Sequence, residues 1–562
     1  MEKKNSGAAF APGTDSRAGP KHEAQPEFKE TTVPVVRFWI LSVGVCLGLF
    51  LSIIDTSIVA TSIYSIGVEF QDVRRVNWVV LAYTLAYLGC AVIFARVSDV
   101  VGRRNAFVAA YIVFFAFSLG CGFAQSLDQL IACRTLQGIG GSGLYSLPMI
   151  ILPELCPENL RQYVGSIIGL VIAGSGALGP VLGGILTHYA TWRWVFWING
   201  PIGFVSLIIF FLSWPKAEHL PSTPRRPWKE FDYVGSFLII AAAVLVVFSF
   251  QNAGESPGTT WGTAIFIAPL TVGLVLWLAL LAWGYLAGRV FEGRLALTFP
   301  IGLFRNRAYA AAAFSTLFLG YPYFIINYAF PLRAQVVDDK SPLLAGIMLL
   351  PMLGSTAVGS ILAGALSRTK NYLFETMLVG ACLMTLGVGL LTIVHDAGDD
   401  AKALGFIVFA GLGFGLNVSA ATMLTAVEVP IVDYAPAQGI IAQLRILGGS
   451  LGISTSTVFM NTKASELLSG ILTPQEQATL GHSGAPLSSE QRSAVHRAFS
   501  EAFHDDMVAA AAVSGAAVLV VLGAYRRGRL LVTDQKRARV QEEIARRSGQ
   551  HKASGSGSAL RI

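Results

Sequence analysis

The sequence predicts an all-α integral membrane protein with fourteen transmembrane helices, on three observations. Hydrophobic residues make up 53% of the 562 residues and charged residues only 13%, whereas soluble domains carry roughly a quarter charged residues. The mean hydropathy is +0.59. Apolar runs of about 20 residues, long enough to cross a ~30 Å hydrocarbon core as a helix, recur along nearly the whole chain.

The apolar runs divide into six, then two, then six predicted helices. They lie at 38–64, 76–95, 105–125, 131–153, 162–188 and 194–214, at 233–252 and 262–287, and at 308–332, 343–366, 372–395, 403–426, 437–460 and 506–525. The predicted domains are a disordered cytoplasmic N-terminus (1–37), an N-terminal six-helix bundle (38–214), two linker helices with flanking cytoplasmic loops (215–307), a C-terminal six-helix bundle (308–525) with a long extracellular loop at 461–505, and a basic cytoplasmic tail (526–562).

Lysine and arginine predict the orientation of these helices. An even number of spans puts both termini on one side, and most of the 41 basic residues lie there. Basic loops stay in the cytoplasm, so both termini are predicted to be cytoplasmic. The net charge of +7 then reflects topology, and no nucleic-acid partner is expected. The expected partners are the lipid bilayer and a small-molecule substrate, and the protein is expected to be monomeric.

Traces of internal symmetry relate the two six-helix groups. The polar loop 95–104 after the second span has a counterpart at 364–370 after the tenth. The glycine-rich stretch 166–184 in the fifth span has a counterpart at 448–452 in the thirteenth. Such repeats are typical of transporters that are built from two halves.

Closely spaced glycines and one proline mark the fifth span: Gly179, Pro180, Gly183 and Gly184. Small residues let a neighbouring helix approach closely, and proline kinks a helix. The run resembles motif C of the major facilitator superfamily, which marks antiporters there. The Trp-Arg-Trp-x-Phe-x-Ile-Asn-x-Pro stretch at 192–201 resembles a motif of its fourteen-span drug:proton antiporters. The resemblance implies the major facilitator fold and export; the alternative is tight helix packing with no bearing on transport direction.

The loop 95–104 resembles motif A of the same superfamily through Asp99, Gly102, Arg103 and Arg104. The resemblance implies that this loop latches the two halves together in the outward-facing state. Alternatively, the arginines only set the orientation of the chain in the membrane.

The fourth span resembles motif B through Arg134, Gln137, Gly138 and Gly140. In the family this arginine is tied to proton coupling. An arginine within a span is costly unless it faces a partner or a water-filled cavity.

Asp55 is the predicted partner of Arg134. Its setting in the first span, Ile-Asp-Thr-Ser-Ile-Val-Ala, resembles a motif of the fourteen-span antiporters. Counted from the same interface, Asp55 lies at a depth of roughly 12 Å and Arg134 at roughly 6 Å. A carboxyl group that gains and loses an arginine neighbour changes its affinity for protons, so the pair is predicted to couple transport to protons. A static ion pair is the alternative.

Two further groups are candidates for gating and for substrate contact. Arg445 in the thirteenth span is predicted to form a structural or gating pair with Glu428 or Asp433, and contact with the substrate is the alternative. The ninth span carries candidate cavity residues suited to flat, weakly polar molecules, with an aromatic belt at the outer interface as the equal alternative. These residues are Tyr321, Tyr323, Phe324, Asn327 and Tyr328.

The motifs that are missing from the sequence exclude several possible energy sources and activities. The sequence contains no phosphate-binding loop of an ATP-driven pump, no His/Cys metal constellation and no nucleophile elbow. We therefore expect that the protein is not an enzyme, needs no cofactor and is driven by an ion gradient; the predicted Asp55–Arg134 pair favours a proton gradient over a sodium gradient. The predicted function resembles that of fungal multidrug or toxin efflux pumps: export of amphipathic drugs, toxins or secondary metabolites by alternating access. A vacuolar importer of basic amino acids or siderophores is the alternative, and a non-transporting membrane receptor is the alternative of another class. The plasma membrane is the default location and the vacuolar membrane the other.

Overall fold

The computed structural model describes residues 33–59, 62–72, 75–76, 78–157, 160, 163–216, 226–253, 262–291, 295–367, 371–394, 398–430, 433–468, 471 and 488–525. The predicted tail at 526–562 and nearly all of the predicted segment 1–37 lie outside the described residues. Both therefore stay predictions.

Long helices follow the predicted spans in chain order. They are α1 (Val35–Ile58), α2 (Trp78–Val101), α3 (Arg103–Gly122), α4 (Leu127–Ser146, continued by Pro148–Leu155), α5 (Val164–Tyr189), α6 (Trp194–Trp197, continued by Asn199–Ser213), α7 (Tyr233–Ala253), α8 (Ala264–Val290), α9 (Arg307–Val336), α10 (Pro342–Ile347, continued by Leu350–Leu366), α11 (Leu373–Leu391), α12 (Asp400–Glu428), α13 (Tyr434–Leu468) and α14 (Ser489–Leu522). The described residues form no β-strand beyond one isolated bridge. The predicted all-α class is confirmed.

Twelve helices of the described part are long and apolar enough to cross a membrane. α4 and α13 fall outside this set. Buried polar side chains interrupt both helices, among them Arg134 and Gln137 in α4 and Gln438 and Arg445 in α13. Polar residues within spans face the bundle interior or a water-filled cavity. Both helices that fall outside the apolar set therefore carry candidate site residues.

The predicted loop at 461–505 is shorter than expected because helices extend into it from both ends. α13 continues to Leu468, and α14 begins at Ser489. A reciprocal capping box between Ser488 and Gln491 stabilises this start by satisfying backbone N–H groups that have no partner in the helix. Apolar side chains on this first part of α14 pack against the ends of α9 and α13, through Val495, Ala498, Phe499, Val337 and Leu468.

The helices repeat one packing pattern eight helices apart. In the first bundle α1 packs against α5 and α6, α2 against α4, and α3 against α4 and α6. In the second bundle α9 packs against α13 and α14, α10 against α12, and α11 against α12 and α14. Between the bundles, α2 packs on α13 as α5 packs on α10, while α7 lies against α2 and α13 and holds α8. The packing groups the helices as six, two and six.

Glycines bring α9 and α13 into backbone contact. A Cβ atom at Gly448 would clash with the carbonyl oxygen of Leu317, and one at Gly452 would lie 2.6 Å from the carbonyl oxygen of Tyr321. A backbone atom cannot turn away as a side chain can, so the helices approach this closely only with glycine at these positions.

We expect Gly448→Ala to lower the melting temperature of the purified protein, because overpacking at such a contact costs about 1–3 kcal/mol. Gly515→Ala in α14 is the matched control, since a Cβ atom there meets nothing within 4 Å. Differential scanning fluorimetry in detergent measures both. Equal melting temperatures for the two variants would contradict the close approach of α9 and α13.

Candidate functional site

A buried ion pair joins the first and fourth helices. Asp55 of α1 and Arg134 of α4 are both fully buried. The Nη1 group of Arg134 donates a hydrogen bond to Oδ2 of Asp55, and its Nε group donates to the carbonyl oxygen of Val79 in α2 at 3.1 Å. The structure thus brings together the two residues that their depths in the spans predicted to meet.

Two amide side chains complete the surroundings of the Asp55 carboxylate. Gln137 Nε2 and Asn199 Nδ2 each donate to Oδ1 of Asp55 at 3.0 Å. Gln137 also accepts a hydrogen bond from Arg134 Nη1 at 2.8 Å. The contact of Asn199 with Asp55 is one that sequence analysis missed, because Asn199 stood out only as part of the motif 192–201. Its side chain is held in place by a second hydrogen bond, to Ser118 Oγ at 2.9 Å.

Aromatic rings enclose the guanidinium of Arg134. It lies 4.1 Å from the ring centroid of Tyr83 and 5.5 Å from that of Phe196, distances at which an aromatic face attracts a cation. Arg134 Nη2 and Asn199 Oδ1 have no hydrogen-bond partner among the described residues. Polar groups that are buried without a partner are costly in free energy. The same two groups can form hydrogen bonds in a second arrangement of the helices.

This arrangement can link a proton to a helix movement. When Asp55 takes up a proton, Arg134 loses its counter-charge. Removing one partner of a buried pair costs roughly 3–5 kcal/mol, so protonation favours a state in which Arg134 finds another partner or water. Since α1, α2, α4 and α6 all contribute groups to the network, such a state requires these helices to shift.

Glycines set how closely the neighbouring helices approach this network. A Cβ atom at Gly138 would lie 2.5 Å from the carbonyl oxygen of Tyr83, and one at Gly140 would clash with the backbone of Phe114. These two glycines of the fourth span therefore let α4 pack directly on α2 and α3.

The glycines of α5 divide by position. Gly179 lies against α1 at Ile54 and Ser57, on either side of Asp55, so α5 supports the turn that carries the carboxylate. Gly183 is buried, while a Cβ atom at Gly184 would meet nothing within 4 Å. The side chain of Pro180 lies outside the described part of the chain.

A charged cluster, here called the latch, lies at the ends of α2 and α4. Arg103 donates to Asp99 at 2.6 Å and to both carboxylate oxygens of Glu154 at 3.0 and 2.9 Å. Two parallel bonds to one carboxylate fix the arginine firmly. Gly102, the residue before α3, has φ 91° and ψ 148°, a backbone conformation open essentially to glycine alone. Arg104 takes no part in the cluster and lies 5.1 Å from the ring centroid of Phe211.

Arg96 connects the latch to the second half of the molecule. It is 2% exposed and pairs with Asp99 at 3.2 Å and with Asp433, next to the start of α13, at 3.5 Å. Its Nε group also donates to the carbonyl oxygen of Leu297 at 2.8 Å. Sequence analysis missed Arg96, although it lies one helical turn before Asp99 at the apolar end of a span, where an arginine needs a partner.

The predicted pair of Arg445 with Glu428 or Asp433 is not formed in this structure. Asp433 pairs with Arg96, and Glu428 accepts a hydrogen bond from Asn306 at 3.0 Å. Arg445 lies twelve residues beyond Asp433, which is about 18 Å along a helix and beyond the reach of an arginine side chain.

The five candidate cavity residues of α9 lie on two faces of the helix. One face carries Tyr323, whose ring stacks on that of Phe414 in α12 with centroids 3.6 Å apart, and Asn327, which donates to the carbonyl oxygen of Tyr323 at 2.8 Å. The other face carries Tyr321, Phe324 and Tyr328. Phe324 packs against Gly449 of α13, and Tyr328 is 39% exposed. The structure does not place all five in one lining.

The two halves are in direct contact on the latch side. Tyr434 of α13 donates to the carbonyl oxygen of Met149 in α4 at 3.4 Å. A Cβ atom at Gly165, at the start of α5, would lie 2.7 Å from the carbonyl oxygen of Ser419 in α12. These two contacts close the space between the halves on the latch side.

A second charged contact lies on the side opposite the latch. Glu69, at the end of the short helix Ile63–Glu69, pairs with Arg193 at 2.7 Å and accepts a hydrogen bond from Trp192 Nε1 at 2.6 Å. Burial raises the pKa of Glu69, but the hydrogen bonds from Trp192 and Arg193 outweigh it and hold the pKa below the usual 4.5.

This shift predicts how the contact depends on pH. Because the pKa of Glu69 is lower in the folded protein, its stabilising contribution is present above about pH 4.5 and is lost as the pH falls through the folded-state value. We expect Glu69→Gln to lower the melting temperature at pH 7, with a difference from wild type that shrinks on acidification. Thermal melts from pH 3 to 7 measure this. A difference that is constant over that range would contradict it.

Comparison with known proteins places this geometry in context. A family model described as Major Facilitator Superfamily matches residues 45–453. An MFS-type transporter of Fusarium mangiferae, FPY5, is 31% identical over 488 residues, which cover 84% of this chain and 81% of the relative. An MFS-type efflux pump of Pseudozyma antarctica, MMF1, is 29% identical, with 77% of this chain and 79% of the relative covered. An aspyridones efflux protein of Neocamarosporium betae is also 29% identical, with 79% and 78% covered.

Solved structures share the fold at much lower identity. A double-tryptophan mutant of XylE is 14% identical with a TM-score of 0.56, and the match covers 89% of this chain and 98% of that one. The proton:xylose symporter XylE bound to a bromodeoxyglucose is 14% identical with a TM-score of 0.52, and the match covers 85% and 95%. These likenesses concern the fold alone.

Proposed function

The chain belongs to the major facilitator superfamily, and from that premise we propose that it is a proton-coupled exporter of amphipathic organic compounds such as drugs, toxins or secondary metabolites. It is a multi-pass membrane transporter and not an enzyme.

The single observation that carries the proposal is the Asp55–Arg134 network. A carboxylate and a guanidinium that are both fully buried within the membrane-spanning core cost free energy. A carboxyl group whose neutraliser comes from a different helix can release and bind a proton as the helices move. The site suits protons better than sodium. A sodium ion would need the carboxylate oxygens of Asp55 as ligands, and these already accept hydrogen bonds from Arg134, Gln137 and Asn199.

The proposed direction of transport has two supports. Two of the relatives described above are named as efflux proteins. The glycine run in α5 resembles the antiporter motif, and Gly179 lies against the turn that carries Asp55. Movement of α5 against α1 would therefore bear directly on the proton site.

The proposed topology has fourteen spans, with α4 and α13 crossing the membrane besides the twelve apolar helices. The latch side and both termini face the cytoplasm, because basic residues concentrate there. The protein acts as a monomer in the plasma membrane.

In the proposed cycle the latch governs access from the cytoplasm. Arg96 holds Asp99 and Asp433 together while cargo leaves on the far side and Asp55 takes up a proton. Protonation releases Arg134, the helices around it shift, and the latch contacts between the halves part. Asp55 then loses its proton to the cytoplasm and pairs with Arg134 again as new cargo binds.

The test is the accumulation of a panel of fluorescent dyes, azoles and mycotoxins in pump-deleted yeast that express the full chain. We expect at least one compound to accumulate less than in cells with an empty vector, and this reduction to disappear when a protonophore collapses the gradient. Greater accumulation would support an importer. Unchanged accumulation of every compound would support a receptor.

A further inference from the structure

Four arginines of the described part are at least 98% buried, and one of them has no carboxylate as an ion-pair partner among the described residues. Arg96, Arg134 and Arg333 each pair with an aspartate. Arg445, which is 1% exposed, forms no ion pair with a described residue. A buried cation without a counter-charge destabilises a protein, so its retention needs an explanation.

The guanidinium of Arg445 lies between the two halves with hydrogen-bonding capacity to spare. Its Nη1 group donates to the hydroxyl of Tyr145 in α4 at 3.3 Å. Its Nε and Nη2 groups have no hydrogen-bond partner among the described residues. The residue lies about 17 Å along α13 from the latch end, which is near the middle of a membrane.

Unpaired N–H groups of a guanidinium match the two oxygens of a carboxylate. We propose that Arg445 binds the acid group of the exported cargo, and that this cargo is an organic carboxylate with an aromatic body. The assignment of the ligand as cargo rests on the proposed function; the affinity for a carboxylate does not.

Aromatic side chains extend from this point toward the proton site. The ring centroids of Tyr145 and Tyr87 are 5.6 Å apart, and those of Tyr87 and Tyr83 are 5.5 Å apart. Tyr83 in turn lies against Arg134. These three rings are buried in this structure and lead from Arg445 to the Asp55 network. Once the halves part, such aromatic faces suit the flat apolar body of the ligand.

Binding of two matched probes tests the proposal without any gradient. The probes are 1-pyrenebutyric acid and its neutral amide, measured by fluorescence with purified full-length protein in detergent. We expect the wild type to bind the acid about 10-fold more tightly than the amide, as the loss of charged hydrogen bonds implies. Arg445→Gln removes this preference and Arg445→Lys keeps part of it. Arg289→Gln, a matched arginine change on the exposed linker helix α8, leaves the preference unchanged.

A second measurement separates ligand binding from a structural role. Without ligand, Arg445→Gln should melt no lower than wild type, because it removes an uncompensated charge, whereas Arg134→Gln should melt lower, because it leaves Asp55 unpaired. Equal affinity for the two probes, binding of neither, or an acid preference that survives Arg445→Gln would overturn the proposal. None of these results would contradict proton-driven export, because the protonophore experiment tests that proposal independently.

Discussion

Asp55→Asn is expected to abolish proton-driven export while leaving a folded protein in the membrane. The asparagine can still accept from Arg134 and Gln137 but cannot take up and release a proton. It also leaves Arg134 without its counter-charge, at a cost of roughly 3–5 kcal/mol. In proteoliposomes with an imposed pH gradient, we expect the rate of substrate movement to fall to about the level of empty vesicles, because no proton can bind at this position.

Two controls make this result specific. Asp55→Glu keeps a titratable group and should keep part of the gradient-driven rate. Asn199→Ala removes one donor to the Asp55 carboxylate without removing the charge, and should shift the pH at which transport is half-maximal rather than abolish it. Full gradient-driven transport by Asp55→Asn would show that the pair is a static contact.

Arg96→Gln is expected to open the latch side. The change removes the ion pairs to Asp99 and Asp433 and the charged hydrogen bond to the carbonyl oxygen of Leu297. Charged hydrogen bonds of this kind contribute about 1.5–3 kcal/mol, so the ratio of latch-closed to latch-open molecules should fall about 10- to 100-fold.

Hydrogen–deuterium exchange measures this shift. We expect faster exchange in 145–157 and 433–440, the segments that meet on the latch side, and a lower rate of transport. Arg104→Gln is the matched control, because Arg104 lies against Phe211 and outside the latch. Unchanged exchange in the Arg96→Gln protein would mean that other contacts hold the halves together.

The sequence was enough to predict the helices, their order and the pairing of Asp55 with Arg134. Length, hydropathy and depth along a helix are local properties, and a buried charge demands a partner of opposite sign at its own depth. A carboxylate in α1 and an arginine in α4 can therefore be matched from the sequence alone.

The contacts that sequence analysis missed depend on how distant elements meet. Asn199 reaches Asp55 because α6 packs on α1 with the amide of Asn199 at the height of the carboxylate. The sequence predicted Arg445, farther along the same part of the chain, as the partner of Asp433. In the structure α13 packs on α2, and Arg96 of α2 pairs with Asp433 instead. Neither relation follows from the spacing of residues along the chain.

The extent of the helices near 461–505 was also underestimated. Polar residues there reduce the hydropathy below that of a span, but Ser488 caps a helix whose apolar stripe packs on α9 and α13. Tertiary packing of one face, rather than overall hydropathy, decides the structure of such a segment.

The most direct test of proton-coupled export is the direction of proton movement when cargo moves. Proteoliposomes are loaded with the pH dye pyranine and with the compound whose cellular accumulation falls most, and are then diluted into medium without that compound, at equal pH on both sides. An antiporter of either orientation takes protons in as cargo leaves, so we predict acidification of the lumen with wild-type protein and none with Asp55→Asn. Alkalinisation of the lumen, or cargo efflux with no proton movement, would contradict the account.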